Sequence, residues 1–593
     1  MRPRDAAAGL LALLVSLAPV ERPGAFEVTL ELRDEVGAPL ASAAPAAAVR
    51  LLIEVRDPLT GWPPAVPPRA WLAAPRTAEE PCALAAARLV QRGADPIRER
   101  ALDGYRILLF GPSGELALLD PRFRLASARL QGALRLPATP TTALLDPRRA
   151  VLWAALPETG LARVDLTGAG RFELLPIAAA LALALLPDGK VAIATADGRL
   201  VILDPEGHER ARTDLPGPAR TLLADPIGGR IWAGGPSGLQ LIEPADAFAL
   251  RTILAEPVRA LLLLPEKRLL LAAGEDALAS LDVDELALLA RTPLAAPVDR
   301  LAADREERIV LATSRAAGVV TLLDATTGRA IGALAPEDGI EEIALSAGQA
   351  YLAPAGSARI GLLPLAEVEP GRLPPLALLA AGTAPRGPAG SLPRLAASPD
   401  GRSALILAPA ERRVFLHGEG AMLAPSSALP VPFPDASGLL VQPLGPVAVG
   451  PGRFELATTL PAAARELVLV FTDPPEARCL PLPITSAAAE PAAPEGPRLR
   501  LRPPADRPRA GRPTSFALEI EGAEAVPGEP EFLALSPATG WFARGPARAS
   551  GEGRFAIELT FPSAGAYELL LRVPGLGLDF ARAPSLSVEV EAR

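Results

Sequence analysis

Apolar residues in the middle of the chain form short runs that are separated by small and polar turn residues. The clearest example is the stretch 308–331, RIVLATSRAAGVVTLLDATTGRAI. It contains a β-branched strand, a small-residue turn, a second apolar strand that ends at Asp324, and a Thr-Gly turn that leads into a third strand. This order predicts most of one blade of a β-propeller.

Copies of this unit follow one another at a period of about 40 residues, which is typical of propeller blades. The end of the apolar strand before the last turn marks each copy, at Leu119-Asp120, Val164-Asp165, Leu203-Asp204, Ile242-Glu243, Leu281-Asp282, Leu323-Asp324, Leu363-Pro364 and Leu416-His417. The sequence therefore predicts an all-β chain with a single β-propeller at residues 101–424, with eight blades favoured and seven as the alternative. The first copy lacks an opening strand and the last lacks a clear closing strand, so ring closure requires each to complete the other.

Short strands with dense turn signals also flank the propeller. They predict small β-sandwiches at residues 26–100, 425–490 and 491–593. Two segments form an internal pair, GRFELATTLPAAARELVLV at 452–470 and GRFAIELTFPSAGAYELLLRV at 553–573. Both contain proline nine positions after the first glycine, and both continue through Glu-Leu into an apolar strand, so we expect the two segments to fold alike.

The repeats KVAIATADGRLVILD (190–204) and 308–331 resemble YVTN-type propellers. Those are related to surface-layer propellers, to the d-type haem propeller of nitrite reductase and to the heavy subunit of methylamine dehydrogenase. The flanking modules resemble small immunoglobulin-like domains of exported bacterial proteins, including the FixH/YtkA-like group. This resemblance implies a periplasmic setting in electron transfer or metal handling, but it does not specify an activity, because such propellers support unrelated chemistries.

The N-terminus has the pattern of an export signal. Arg2 and Arg4 precede the apolar run AAAGLLALLVSLA, which is shorter than the ~18 residues that span a bilayer. We expect a signal peptide at residues 1–25 and a periplasmic or secreted protein, with an uncleaved anchor as the alternative. No later segment is an uninterrupted apolar stretch of about twenty residues, so we expect no membrane span after signal removal.

The charge of the chain argues against a nucleic-acid partner. The net charge is −9, and no basic stripe is present that could neutralise phosphates. Lysine occurs only at Lys190 and Lys267, so almost all positive charge is arginine.

Histidine is the scarcest side chain with useful chemistry. His208 lies in a turn and is interpreted as a loop residue. His417 ends the last repeat and is followed by Met422, the only methionine besides Met1. Imidazole and thioether groups suit copper, so His417 and Met422 are candidate metal ligands. The alternative is a closure loop with a packed methionine.

The two cysteines, Cys82 and Cys479, are 397 positions apart. Propeller closure brings the start and the end of the ring together, and an exported protein meets an oxidising compartment. We therefore expect a disulfide between them, with two buried free thiols as the alternative. The chain has no Cys-x-x-Cys-His motif, so covalent c-type haem is excluded.

The motifs that would mark an enzyme are absent from the sequence. It contains no Gly-x-Ser-x-Gly elbow and no glycine-rich phosphate loop that opens a helix. The acidic residues Asp282, Asp284 and Glu285 are expected to cap a blade turn rather than bind calcium. The sequence thus favours a non-enzymatic exported scaffold or binding protein whose partner is another exported protein. A haem-binding propeller and a metal-dependent hydrolase or lactonase are the alternatives, and copper and haem remain open as cofactors.

Overall fold

The computed structural model is built almost entirely of antiparallel β-strands. Its described residues lie between 26 and 592, and the signal-peptide prediction at residues 1–25 lies outside them. Within these limits the structure does not describe residues 35–36, 45–46, 62, 65–66, 77–79, 93–99, 103, 122–129, 167–170, 178, 245–247, 337–338, 355–357, 383–391, 421–422, 462, 473–474, 485–497, 503, 505–506, 522–528, 536–540, 552, 574–579 and 581–584. No helix in the described part is long and apolar enough to cross a membrane.

The centre of the molecule is a β-propeller. Seven of its four-stranded sheets, blades 2 to 8, are continuous stretches of chain whose strands follow one another from the inside to the outside. Blade 2 contains Thr142–Asp146, Val151–Leu156, Gly160–Asp165 and Arg171–Leu175, and blade 3 contains Ala180–Leu185, Val191–Thr195, Arg199–Leu203 and Glu209–Asp214. Blade 4 contains Thr221–Ala224, Ile231–Gly235, Gly238–Glu243 and Ala249–Leu254, and blade 5 contains Ala260–Leu264, Leu269–Ala273, Ala277–Asp282 and Leu288–Pro293. Blade 6 contains Arg300–Ala303, Ile309–Ser314, Val319–Asp324 and Ala330–Leu334. Blade 7 contains Glu342–Leu345, Gln349–Ala353, Arg359–Pro364 and Ala377–Ala380, and blade 8 contains Leu395–Ala397, Ser403–Ala408, Arg413–Gly418 and Ser427–Pro430.

Blade 1 joins the two ends of the ring. Its outer strands are Tyr105–Phe110, Glu115–Leu119 and Leu130–Arg135, and its innermost strand is Gly438–Pro443. That strand pairs antiparallel with Tyr105–Phe110, from Gly438 opposite Phe110 to Pro443 opposite Tyr105. The repeat pattern predicted a propeller that ends at residue 424, but the ring extends to residue 443. Leu439 is fully buried in the core that blades 1 and 8 share, and this burial explains why the strand belongs to the ring.

Burial follows the position of each strand in its blade. The second strand of blade 4 and that of blade 6 are buried along their whole length, because each lies between two neighbouring blades. The outermost strand of blade 3, ERARTD, is charged and mostly exposed. Charged side chains on such free edges disfavour pairing with other chains. The innermost strands of blades 4 and 6 are partly exposed along their whole length, and they lie on the wall of a central channel.

One β-sandwich is built from both ends of the propeller-containing region. Its first sheet contains Pro39–Leu40, Glu27–Arg33, Ala48–Arg56, Arg453–Thr459 and Val447–Gly450, in that order. Its second sheet contains Pro475–Pro481, Glu466–Thr472, Arg69–Ala73 and Arg100–Ala101. The sequence predicted separate modules at 26–100 and 425–490, whereas the structure interleaves strands from both segments around one apolar core. We call this unit the interrupted sandwich.

The helix Cys82–Arg92 packs on the outer face of this sandwich, and its first residue is covalently tied to it. Cys82 and Cys479 form a disulfide with a Cα–Cα distance of 5.7 Å. Cys479 lies in the strand Pro475–Pro481, so the bond connects two segments of one sandwich rather than two modules.

The second sandwich comes after both segments of the interrupted sandwich in the chain, and no other domain is inserted into it. One of its sheets contains Arg498–Arg502, Pro513–Glu521, Arg554–Thr560 and Arg548–Gly551, and the other contains Phe542–Pro546, Glu531–Leu535, Gly565–Arg572 and Ser585–Val590. Its side chains Leu533, Leu570 and Phe580 join the core of blades 1 and 8. Arg544 Nη1 donates a hydrogen bond of 2.8 Å to the carbonyl oxygen of Ala133 in blade 1. The second sandwich therefore covers the outer edge of the blade that closes the ring.

Candidate binding site at the channel mouth

Eight equivalent residues surround one end of the central channel, and we call this ring the mouth. Each residue directly precedes the innermost strand of a blade and hydrogen-bonds through its backbone toward the neighbouring strand. For example, the N–H groups of Arg220 and Arg259 donate to the carbonyl oxygens of Gly234 and Ala273 at 2.9 and 2.8 Å. In order from blade 1 to blade 8, the residues of the mouth are Ser437, Thr141, Ala179, Arg220, Arg259, Asp299, Glu341 and Arg394.

One part of the mouth is small and neutral. It comprises Ser437, Thr141 and Ala179 of blades 1 to 3. The hydroxyl groups of Thr141 and Ser437 donate to backbone carbonyls of their own blades, at 3.3 and 3.1 Å. Leu181, two residues into the inner strand of blade 3, is 38% exposed. This side of the channel therefore offers space and a partly apolar wall.

The other part of the mouth, in blades 4 to 8, is charged. Arg259 Nη2 lies 2.6 Å from Asp299 Oδ1 in the next blade, and Arg259 Nη1 lies 3.1 Å from Glu275 Oε1. These hydrogen bonds raise the pKa of Arg259 above its ordinary value. Because the Arg259–Asp299 pair bridges two blades, it shows that neighbouring positions of the mouth are in contact.

A buried charge cluster continues the mouth at blades 7 and 8. Arg394 Nη2 lies 3.2 Å from Glu341 Oε2, and Arg394 Nε lies 3.6 Å from Glu342 Oε1. Glu342 Oε2 also accepts the backbone N–H groups of Arg394 and Leu395 at 2.7 and 3.0 Å. Both glutamates are buried, so the backbone donors and the guanidinium replace the water that the carboxylates have lost.

Two arginines at this end of the channel, one in the mouth and one directly after it, lack such partners. Arg220 is exposed and Arg300, the first residue of the inner strand of blade 6, is partly buried. Within the described residues, neither guanidinium forms an ion pair or a side-chain hydrogen bond. The arc from blade 4 to blade 6 therefore has cationic groups that a ligand could engage.

A cleft opens beside the charge cluster, between blades 7 and 8. It is lined by apolar side chains together with Arg394. The lining residues include Pro354, Ile360, Leu395, Ile406 and Pro409.

His417, one of the predicted metal ligands, lies in the same inter-blade interface. Its side chain is buried, and its Nδ1 is 3.0 Å from the hydroxyl oxygen of Tyr351 in blade 7. Burial raises the pKa of Tyr351 to about 12. In the described part of the chain, no group of three or more His, Cys, Asp or Glu residues could hold a metal ion. Met422 lies outside the described residues, so the predicted pairing of His417 and Met422 stays a prediction.

Other residues that the sequence analysis singled out lie away from the mouth. His208 is in a blade turn, where its backbone N–H donates to Asp204 Oδ1 at 2.8 Å. Asp282 Oδ1 accepts the N–H groups of Asp284 and Glu285 at 2.8 and 2.7 Å, so this aspartate caps a turn. Sequence reasoning missed the mouth residues, although a signal was available. Arg220, Arg259 and Glu341 directly precede inner strands, and an alignment of the repeats on those strands would have placed them in one column.

Comparisons with known proteins bear on the fold class. No protein-family model matches the chain, and no curated protein matches it. A dihydro-haem d1 dehydrogenase, NirN, in complex with DHE is 15% identical, with 58% of this chain and 76% of that chain covered and a TM-score of 0.46. AztD from Citrobacter koseri is 9% identical, covering 57% and 98%, with a TM-score of 0.44. The β-propeller domain of Cps50 (Swd1) from Myceliophteria thermophila is 12% identical, covering 47% and 94%, with a TM-score of 0.36. At these values the chain is similar to propeller proteins, and the likeness carries no argument about ligand or activity.

Proposed function

We propose that the protein is an exported binding protein without catalytic activity of its own, and that the mouth of its channel binds another exported protein. The observation that carries this proposal is the division of the mouth into a small neutral part and a charged part. An asymmetric ring can orient a partner, because opposite charges attract at one side while small residues leave space at the other.

Two further features support the proposal. The disulfide between Cys82 and Cys479 suits a compartment in which thiols oxidise, and this agrees with the predicted signal peptide. The second sandwich and the interrupted sandwich both contact the closing blade or its connections, and such bracing would keep the eight mouth residues in register. The resemblance to periplasmic propellers extends the proposal to a role accessory to electron transfer or metal handling. Absorbance spectra and metal analysis of protein purified from its own cells would test that extension.

Site-specific photo-cross-linking in the producing cells tests the proposed binding face. A photoreactive amino acid would replace Thr141 or Ala179, which are exposed neutral residues of the mouth. Matched controls would carry it at Ile227, in an exposed turn at the other end of blade 4, and at Leu288, which is 52% exposed on an outer strand. We expect one exported polypeptide to be captured from the mouth positions and not from the control positions. Capture only from Ile227 or Leu288 would overturn the proposed face.

A further inference from the structure

Three arginines on consecutive blades lie at this end of the channel, and we call them the arc. Two belong to the mouth, and the third, Arg300, directly follows the mouth residue Asp299. Arg220, Arg259 and Arg300 belong to blades 4, 5 and 6. Only the middle one is neutralised, because Asp299 and Glu275 both bond to Arg259. Asp299 is further engaged through its second oxygen, which accepts the N–H of Arg315 at 2.8 Å. Its carboxylate is thus already occupied, and neither Arg220 nor Arg300 has a counter-ion in the described part of the protein.

Arg300 also has an unusual neighbour within its own blade. It lies directly opposite Thr313 in the antiparallel pair of the first two strands of blade 6, so the two side chains share one face of the sheet. Thr313 is buried, and its Oγ1 has no hydrogen-bond partner among the described residues. Buried polar groups are normally paired. A partly buried arginine and an unpaired hydroxyl therefore lie side by side, next to the mouth residue Asp299.

The guanidinium groups of Arg220 and Arg300 favour a carboxylate as their ligand. A guanidinium presents its N–H groups as a fork that matches a carboxylate in a bidentate arrangement. Two such forks, two blades apart, suit a chain that carries several carboxylates rather than a single small anion. The neutral side of the mouth, with Thr141 and Ala179, leaves room for the backbone of such a chain.

We infer that the mouth receives an extended, carboxylate-bearing segment of the partner protein, and that Arg220 and Arg300 are the residues that anchor it. This inference rests on the proposed function, since it names the kind of partner segment that the same face takes. The chain as a whole carries a net charge of −9, so attraction of an acidic segment is a local property of this arc.

Fluorescence anisotropy with synthetic peptides tests the inference on the full-length mature protein. The probe is an alternating Glu-Gly peptide with an uncharged dye, and the matched control peptide carries Gln in place of Glu. The variants are Arg220→Gln, Arg300→Gln and the double variant. The control variant is Arg212→Gln, which removes the same charge from the outer strand of blade 3. Inorganic phosphate serves as a competitor, and the thermal midpoint of each variant checks that the propeller is folded.

We expect the Glu-Gly peptide to bind and the Gln-Gly peptide not to bind. Each mouth variant should weaken binding by about tenfold or more, because each removes hydrogen bonds to a charged group. Arg212→Gln should change the affinity by less than about twofold. Equal binding of both peptides, or unchanged binding by the folded double variant, would overturn the inference. Displacement of the peptide by phosphate at equal concentration would also overturn it, since the arc would then be a phosphate site. If mouth cross-linking succeeds while the peptide fails to bind, the proposed function stands and the acidic segment does not.

Discussion

The interrupted sandwich and the second sandwich have the same strand plan, although the propeller divides only the first. In both, the Gly-Arg-Phe strand pairs on one side with a long strand and on the other with a short strand through a bulge. Arg453 lies opposite Glu54 in one sandwich, and Arg554 lies opposite Glu519 in the other. The same pairs form salt bridges at 3.1 and 3.8 Å. The two units are therefore internal copies of one fold.

The largest difference lies in one connection. In the second sandwich, the strands Phe542–Pro546 and Arg548–Gly551 are separated by Ala547 alone. In the interrupted sandwich, the corresponding strands are Arg100–Ala101 and Val447–Gly450, and the entire propeller lies between them. The two connecting segments run side by side, since the N–H of Leu444 donates to the carbonyl oxygen of Gly104 at 3.0 Å. The propeller is thus an insertion into a short loop, and closing the ring and closing the sandwich are coupled events.

The disulfide distinguishes the two copies most strongly, and its removal has the largest expected effect. We expect the double variant Cys82→Ser with Cys479→Ser to lose about 4 kcal/mol of unfolding free energy, because the bond closes a very long loop. Hydrogen exchange followed by mass spectrometry should show faster exchange in the strands Pro475–Pro481 and Arg69–Ala73. The strands of the second sandwich, which lacks cysteine, serve as the internal control. If exchange became faster to the same extent in both sandwiches, the disulfide would not act on the interrupted sandwich specifically.

A matched pair of core substitutions sharpens the comparison. Leu467 and Leu569 each follow a glutamate in equivalent strands of the two sandwiches, and both are buried in the core of their sandwich. Each Leu→Ala change should cost about 3 kcal/mol locally. Because the interrupted sandwich holds both ends of the ring, Leu467→Ala should also lower the thermal midpoint of the propeller. Leu569→Ala should lower it less. Calorimetry of the two variants measures the thermal midpoint of the propeller. Equal shifts of this midpoint would show that the two sandwiches support the propeller equally.

The sequence carried enough local information to predict the propeller. Each blade pairs strands that are adjacent in the chain, so alternation and turn residues within about 40 positions predict its hairpins. The Gly-Arg-Phe pair was visible for the same reason, since both segments are short and continuous. The interleaving of the sandwich was not visible. Ala48–Arg56 pairs with Arg453–Thr459, and no local pattern indicates which of many apolar strands lies beside another some four hundred residues away.

The candidate site was harder to predict than the fold. Scarce residue types directed attention to His417 and Met422, whereas the mouth is built from arginines, which are abundant in this chain. What distinguishes Arg220 from other arginines is its position in a ring and the lack of a counter-ion, and both depend on tertiary structure. The disulfide was predictable because the chain has only two cysteines and because ring closure brings the ends of a propeller together.

The smallest expected effect concerns pH at the point where the interrupted sandwich joins the ring. Tyr105 begins the first outer strand of blade 1, and burial, aided by the charges of Asp400 and Asp120, raises its pKa to about 12. A phenol whose pKa is about 10 in the unfolded chain ionises there first, so stability is complete below pH 10 and falls as the pH rises toward 12. Ionisation of one such group lowers the free energy of unfolding by at most about 1.4 kcal/mol per pH unit. Urea unfolding between pH 9 and pH 12 should show a shallower decline of the unfolding free energy for Tyr105→Phe than for the wild type.

Tyr351→Phe is the matched control, because the pKa of Tyr351 is also about 12 but this residue lies between blades 7 and 8, away from the sandwich. Hydrogen exchange at high pH should then separate the two sites. In Tyr105→Phe, the strands that join the sandwich to the ring should stay protected from exchange at high pH, whereas in Tyr351→Phe they should lose protection. Equal exchange of these strands in both variants would show that alkaline loosening does not begin at the join.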